Sequence, residues 1–183
     1  VTQTGQEVTA IVAENMSTGD TSVCAMGRAA GVEIVPVDIG VATPLHGERI
    51  LQRNIRRGTA NLSQGPAMTR EEAERAVLVG VEVARDLCAK GVKLLGTGEM
   101  GIGNTTTSSA VAAVFLNKEP EVMTGRGAGL SSEGLVRKIH AIERGIAVNQ
   151  PDPSDPLDVL HKVGGLDLAG LAGVFLGGAM CHV

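Results

Sequence analysis

Between Thr69 and Cys88 apolar residues fall at Ala73, Ala76, Val77, Ala84, Leu87 and Cys88. Steps of three and four put them on one stripe and predict a long amphipathic helix. Thr69 with Glu72 three residues on is a capping box, and Gly91 marks the stop. Val8, Ile11 and Val12 form a shorter stripe that Gly19 closes. Asp20 or Thr21 then caps a helix through Met26, with Gly31 as its stop. Ser131 or Ser132 opens another, with Leu135, Ile139, Ile142 and Ile146 toward the core. Asp155 and Pro156 begin one that runs through Val163. From Leu166 to Gly178 there is almost no polar stripe, which predicts a helix buried on all sides.

Strand-like patterns lie between these helices. "VEIVPVDIG" is rich in β-branched residues, and Pro36 within it indicates an edge strand or a bulge. "VKLL" predicts a short buried strand and "EVMTG" a further one. The span 41–68, punctuated by Pro, Gly and Asn, reads as a long irregular segment. Strands alternating with helices, and glycine turns after the strands, predict an α/β fold in one domain over 1–183. Its sheet is mostly parallel and flanked by helices. Ligands in such sheets bind beyond the carboxyl ends of the strands, where both glycine turns would lie.

Composition narrows the function. There is no Trp or Tyr, and only Phe115 and Phe175 are aromatic, so the platforms that stack single-stranded nucleic acid are missing. A net charge of −4 also disfavours a polyanion partner. Cys24, Cys88 and Cys181 form no CxxC pair, and read as reduced thiols in a cytoplasmic protein. "VTQTGQEV" shows no signal peptide, and "LAGLAGVFLGGAMC" is too short and glycine-rich for a membrane span. His46, His140, His161 and His182 lack metal-ligand spacing and read as surface or structural, so no metal is expected, and no cofactor is expected either. Asp38, at the end of a predicted strand, either reaches a site or caps the loop that follows.

The candidate chemistry lies in "GTGEMGIGNTTTSS". Gly96, Gly98 and Gly101 spell a G-x-G-x-x-G between strand and helix, a dinucleotide signature on its face. Glu99 disfavours that reading, because its charge would repel a pyrophosphate. A mononucleotide suits the same residues better. The amides of Gly101, Ile102, Gly103, Asn104 and Thr105 offer a phosphate site at a helix start, and Glu99 accepts from ribose hydroxyls. The alternative is a glycine-rich helix start that only packs tightly. "TGRGAGL" adds a second turn, with Gly127 and Gly129, whose backbone a ligand can approach. Lys138, on the next helix, is either a point charge for phosphate or an exposed helix lysine.

"GTGEMGIGNTTTSSA", with "VPVDIGV", "RRGTANLSQGPAMTREEA", "TGRGAGL" and "LAGLAGVFLGGA", resembles the nicotinate-nucleotide–dimethylbenzimidazole phosphoribosyltransferase (CobT) family over nearly the whole chain. The resemblance implies a Rossmann-like three-layer fold. It implies transfer of phosphoribose from nicotinate mononucleotide to a benzimidazole base, giving α-ribazole 5′-phosphate and nicotinate for the cobalamin lower ligand. It further implies a homodimer without metal. By the same resemblance Glu99 and Gly101 to Thr105 match the ribose-phosphate site, Gly127 to Gly129 a turn at the nucleotide, and Lys138 a lysine near the phosphate. The family's general-base glutamate lies beyond residue 183. The chain is therefore expected to be a central fragment that binds nucleotide without practical turnover. A non-catalytic mononucleotide module and a dinucleotide-dependent oxidoreductase remain the alternatives.

Overall fold

A computed structural model describes residues 1–183 as eight helices and one small parallel sheet. The helices are α1 (Glu7–Thr18), α2 (Ser22–Ala30), α3 (Arg70–Ala89), α4 (Asn104–Leu116), α5 (Pro120–Met123), α6 (Ser132–Asn149), α7 (Pro156–Val163) and α8 (Leu166–Cys181). The strands are β1 (Val37–Asp38) and β2 (Leu51–Gln52), paired in parallel with Val37 opposite Leu51. The α/β class and the parallel pairing agree with the sequence; the balance is mostly helical.

The predicted caps hold. Thr21 accepts from the Cys24 amide, Ser131 from Gly134, and Asp155 from Leu157 and Asp158. Both arms of the Thr69–Glu72 capping box are formed. Gly19 and Gly31 close α1 and α2 in the left-handed conformation.

Two predicted strands do not form. Val92–Leu95 forms no strand and joins no sheet, and Leu94 is 86 % exposed. A strand without a neighbour has no ladder to stabilise it. "EVMTG" lies largely in α5, where Pro120 sets the first helical position and the Thr124 hydroxyl donates back to its carbonyl at 2.6 Å. Pro36 sits at the foot of β1, its carbonyl accepting from the Leu51 amide at 2.9 Å, as an edge position allows.

Three apolar clusters hold the elements. The first joins α3, α7 and α8 through Ala73, Ala76, Leu160, Leu166 and Ala169 over Met68 and Leu62. The second joins α4, α6 and α7 through Ala110, Ile142, Val159 and Val163. The third packs Ala10 of α1 on Leu45 and Ile50. Helix α7 belongs to two of them, so it links α3 and α8 to the pair that carries the candidate site.

Helix α8 is buried on one face only: Phe175 and Leu176 are 64 % and 56 % exposed. Its other face is a seam of glycines against α3. A Cβ on Gly80 would overlap the Gly170 carbonyl and lie 2.7 Å from the Val174 amide nitrogen. One on Gly177 would lie 2.8 Å from the Ala84 Cβ. Its glycines therefore let two backbones touch rather than surrounding the helix with protein.

Candidate functional site

Helix α4 begins without a side-chain cap. Gly103 holds the N-cap position at φ +96°, a left-handed conformation that glycine adopts without strain. The hydroxyls that follow are turned to other uses. Thr107 and Ser108 donate back to the Asn104 carbonyl at 2.8 and 3.0 Å. Thr105 instead accepts from the Lys138 ammonium at 2.8 Å. The Asn104 and Thr106 amides bond back to the Gly101 and Gly103 carbonyls at 3.3 and 2.9 Å, which leaves the amides of Gly103 and Thr105 to whatever enters the cleft beside them, at the positive end of the helix dipole.

Lys138 is the centre of the site. The helix stripe that buries Gly134, Ile142, Gly145 and Asn149 also turns it inward, and it is 1 % exposed. Besides Thr105, its Nζ donates to the Gly125 carbonyl at 3.0 Å. No carboxylate forms an ion pair with it. Burial holds its pKa below the usual lysine value. An ammonium buried on neutral acceptors alone is costly, and an anion beside it would offset that cost.

The second glycine turn closes over this pair. Gly127 takes φ +57°, and a Cβ there would lie 2.7 Å from Thr105 Oγ1 and 3.5 Å from Lys138 Nζ. Gly129, at φ +87°, has open space around it. Arg126 donates to the Leu130 carbonyl at 2.8 Å and the Ser132 hydroxyl at 3.0 Å, which fixes its guanidinium at the rim.

A cavity of about 130 Å³ results. It is lined by Gly101 to Thr106, by Arg126, Ala128, Leu130 and Lys138, and by Val1 to Thr4. Two cations line it and no carboxylate does. Gly101, Ile102, Gly103, Asn104, Thr105 and Lys138 are therefore brought together, with Gly127 against Thr105.

Glu99 is not in that lining. It is exposed at the far end of the loop, and burial together with the charge of Asp167 raises its pKa. Asp167 lies in the first turn of α8, its Oδ2 buried and without a partner, and burial raises its pKa as well. Not every amide of the loop is free either, since Ile102 N–H donates to Thr9 Oγ1 at 2.9 Å.

Arg126 and Asp167 are not among the sequence candidates. Arg126 stood inside a quoted motif, and its lack of an acidic neighbour in the turn was a usable signal. Asp167 offered none. Asp38 is 1 % exposed and accepts from the Val41 amide at 2.9 Å and from Asn54 Nδ2 at 2.9 and 3.1 Å. It is the cap of its own loop. His161 is structural, its ring bridging Asp158 and the Met68 carbonyl. No group of three His, Cys, Asp or Glu is placed to hold a metal, and no helix is long and apolar enough to cross a membrane.

Known proteins resemble the chain throughout. A family model described as phosphoribosyltransferase matches residues 1–183. A protein of Acetivibrio thermocellus named nicotinate-nucleotide–dimethylbenzimidazole phosphoribosyltransferase is 52 % identical over 97 % of this chain and 51 % of its own length. One of the same name from Alkaliphilus metalliredigens is 54 % identical over 95 % and 50 %. The crystal structure of CobT from Thermus thermophilus superposes with a TM-score of 0.94 at 43 % identity, covering all of this chain and 55 % of that one. The chain spans about half the length of the curated relatives it matches. It belongs to the phosphoribosyltransferase family, which sets the dinucleotide-oxidoreductase alternative aside.

Proposed function

We propose that this chain carries the phosphoribose-binding part of an enzyme that moves phosphoribose from nicotinate mononucleotide to 5,6-dimethylbenzimidazole or a related base. The observation that carries the reading is the buried, carboxylate-free ammonium of Lys138 beside the open start of α4. The 5′-phosphate takes the place of the missing counterion. Its oxygens accept from Lys138 Nζ and from the unbonded amides of Gly103 and Thr105, with Arg126 at the rim. Glu99 stands at the sugar end of the loop and accepts from ribose hydroxyls.

In the transfer, a ring nitrogen of the acceptor attacks the anomeric carbon with its lone pair. The bond from that carbon to the nicotinate nitrogen breaks, nicotinate leaves with the bonding pair, and the configuration inverts. Fixing the phosphate holds the anomeric carbon in line for this displacement. The acceptor's ring proton must also be removed, and no carboxylate of this chain lines the cavity to take it. Positioned base catalysis is worth ~10²–10⁴ in rate. Residues 1–183 alone should therefore bind nucleotide and turn over more slowly than the full-length relatives by about that factor. A homodimer and a cytoplasmic location belong to the same reading, and sedimentation checks the first.

Titration calorimetry tests the site. Nicotinate mononucleotide and inorganic phosphate should compete for it, while nicotinate alone should give no heat. Glu99→Gln should weaken the nucleotide severalfold and leave phosphate unchanged. Equal losses for both ligands would remove Glu99 from the sugar, and lack of competition would remove the phosphate from Lys138.

A further inference from the structure

The α3–α8 seam is parallel and in step. Gly80 meets Gly173, where a Cβ would lie 2.9 Å from the Gly173 carbonyl carbon. One turn on, Gly177 meets Ala84. The next turn on each helix brings Cys88 opposite Cys181. Ordinary helix pairs keep their axes ~8–10 Å apart, which is wide for a disulfide that spans Cα separations of ~4.4–6.8 Å. Glycines that let backbone press on backbone bring this pair closer. The proximity has an electrostatic trace: burial raises the pKa of the Cys88 thiol, and the neighbouring Cys181 raises it further. Both thiols are free and only partly buried. Cys24 is buried elsewhere, in α2, next to Thr21 and the Met16 carbonyl.

We propose that Cys88 and Cys181 are a redox pair that closes into an intrachain disulfide, joining the C-terminal ends of α3 and α8, on exposure to a small-molecule disulfide. One protein thiolate attacks a sulfur of the reagent R–S–S–R and expels one thiolate. The second protein thiolate then attacks the protein sulfur of the mixed disulfide and expels the other. The two protein thiols are oxidised, the reagent is reduced to two R–SH, and the two protons of the protein thiols end on those products. A raised thiol pKa leaves less thiolate at neutral pH, so closure is faster in mildly alkaline buffer.

The test uses the 183-residue chain, native, with excess oxidised glutathione in mildly alkaline buffer. After acid quenching and denaturation, the three free thiols should fall to one. Peptide mapping should find the peptide of Cys88 joined to that of Cys181, with Cys24 free. The thermal midpoint should rise by roughly 5–10 °C, because the bridge closes a long loop. In Cys24→Ala the two remaining thiols should fall to none, with the same link and the same shift. Cys88→Ser should abolish the link and the shift; if it does not fold, the map of the unaltered chain decides alone. Three surviving thiols, separate glutathione adducts on Cys88 and Cys181, or a bridge between two chains would each overturn the proposal.

Discussion

Glycines serve opposite ends in two parts of this molecule. In the α3–α8 seam, Gly80, Gly173 and Gly177 face backbone so closely that a methyl group has nowhere to go. In the loop before α4, Gly96 and Gly98 face nothing, and the nearest neighbour of Gly101 is the Asn104 Cβ at 3.9 Å. Both stretches are glycine-rich in the sequence. One uses the missing side chain to bring two helices together, the other to leave a backbone bare toward solvent. Absent bulk is a packing device where protein fills it and a binding device where nothing does.

The contrast predicts unequal costs for the same change. Gly80→Ala should lose about 3 kcal/mol or more in denaturant unfolding, near or above the upper end of overpacking, because the obstacle is rigid helix backbone. Losing less than half of that would mean that the seam can slide, and would weaken the register argued for Cys88 and Cys181.

Lys138→Met comes next, and its effect should appear in binding. Removing a charged hydrogen bond worth ~1.5–3 kcal/mol predicts a loss of roughly ten- to a hundredfold in nucleotide affinity. Stability should hold or rise, since a desolvated ammonium is removed. Its pH dependence has a definite sign. The folded pKa lies below 10.5, so between the folded value and 10.5 the unfolded chain binds more protons. Stability of the unaltered chain should therefore rise relative to Lys138→Met as pH climbs through that window. A gap that stays constant with pH would show that Lys138 is not desolvated.

Gly103→Ala should cost ~1–2 kcal/mol, since space is open but φ is +96°. Gly98→Ala, with neither obstacle nor strain, should stay within ~0.5 kcal/mol. Should Gly98→Ala unfold the protein, the loop is a packing element after all and the contrast collapses.

Much of the helical skeleton was legible because caps are local. Thr21, Thr69, Ser131 and Asp155 each bond amides two or three residues away, and spacing alone reveals them. The strands were less legible, because a strand depends on a neighbour that the local sequence does not contain. The site lay between these extremes. The amide loop could be read from its glycines and its place before a helix. The burial of Lys138 follows from a helical stripe that also carries Gly134 and Ile142, although a lone helix lysine is usually exposed. Glu99 is expected at the sugar rather than at the phosphate amides, and its nearness to Asp167, 68 positions away, is one that no spacing rule reveals.

The bond from the Ile102 amide to Thr9 reaches across 93 positions to anchor the loop on α1. A loop held in this way is shaped when the chain folds, before any nucleotide arrives. Association then has little main chain left to order, so its entropic penalty is small and the encounter is governed by shedding water from the ammonium and the phosphate. The Ile102 amide should accordingly exchange its hydrogen slowly even in the empty protein, while its exposed neighbours at Gly96 and Gly98 exchange fast.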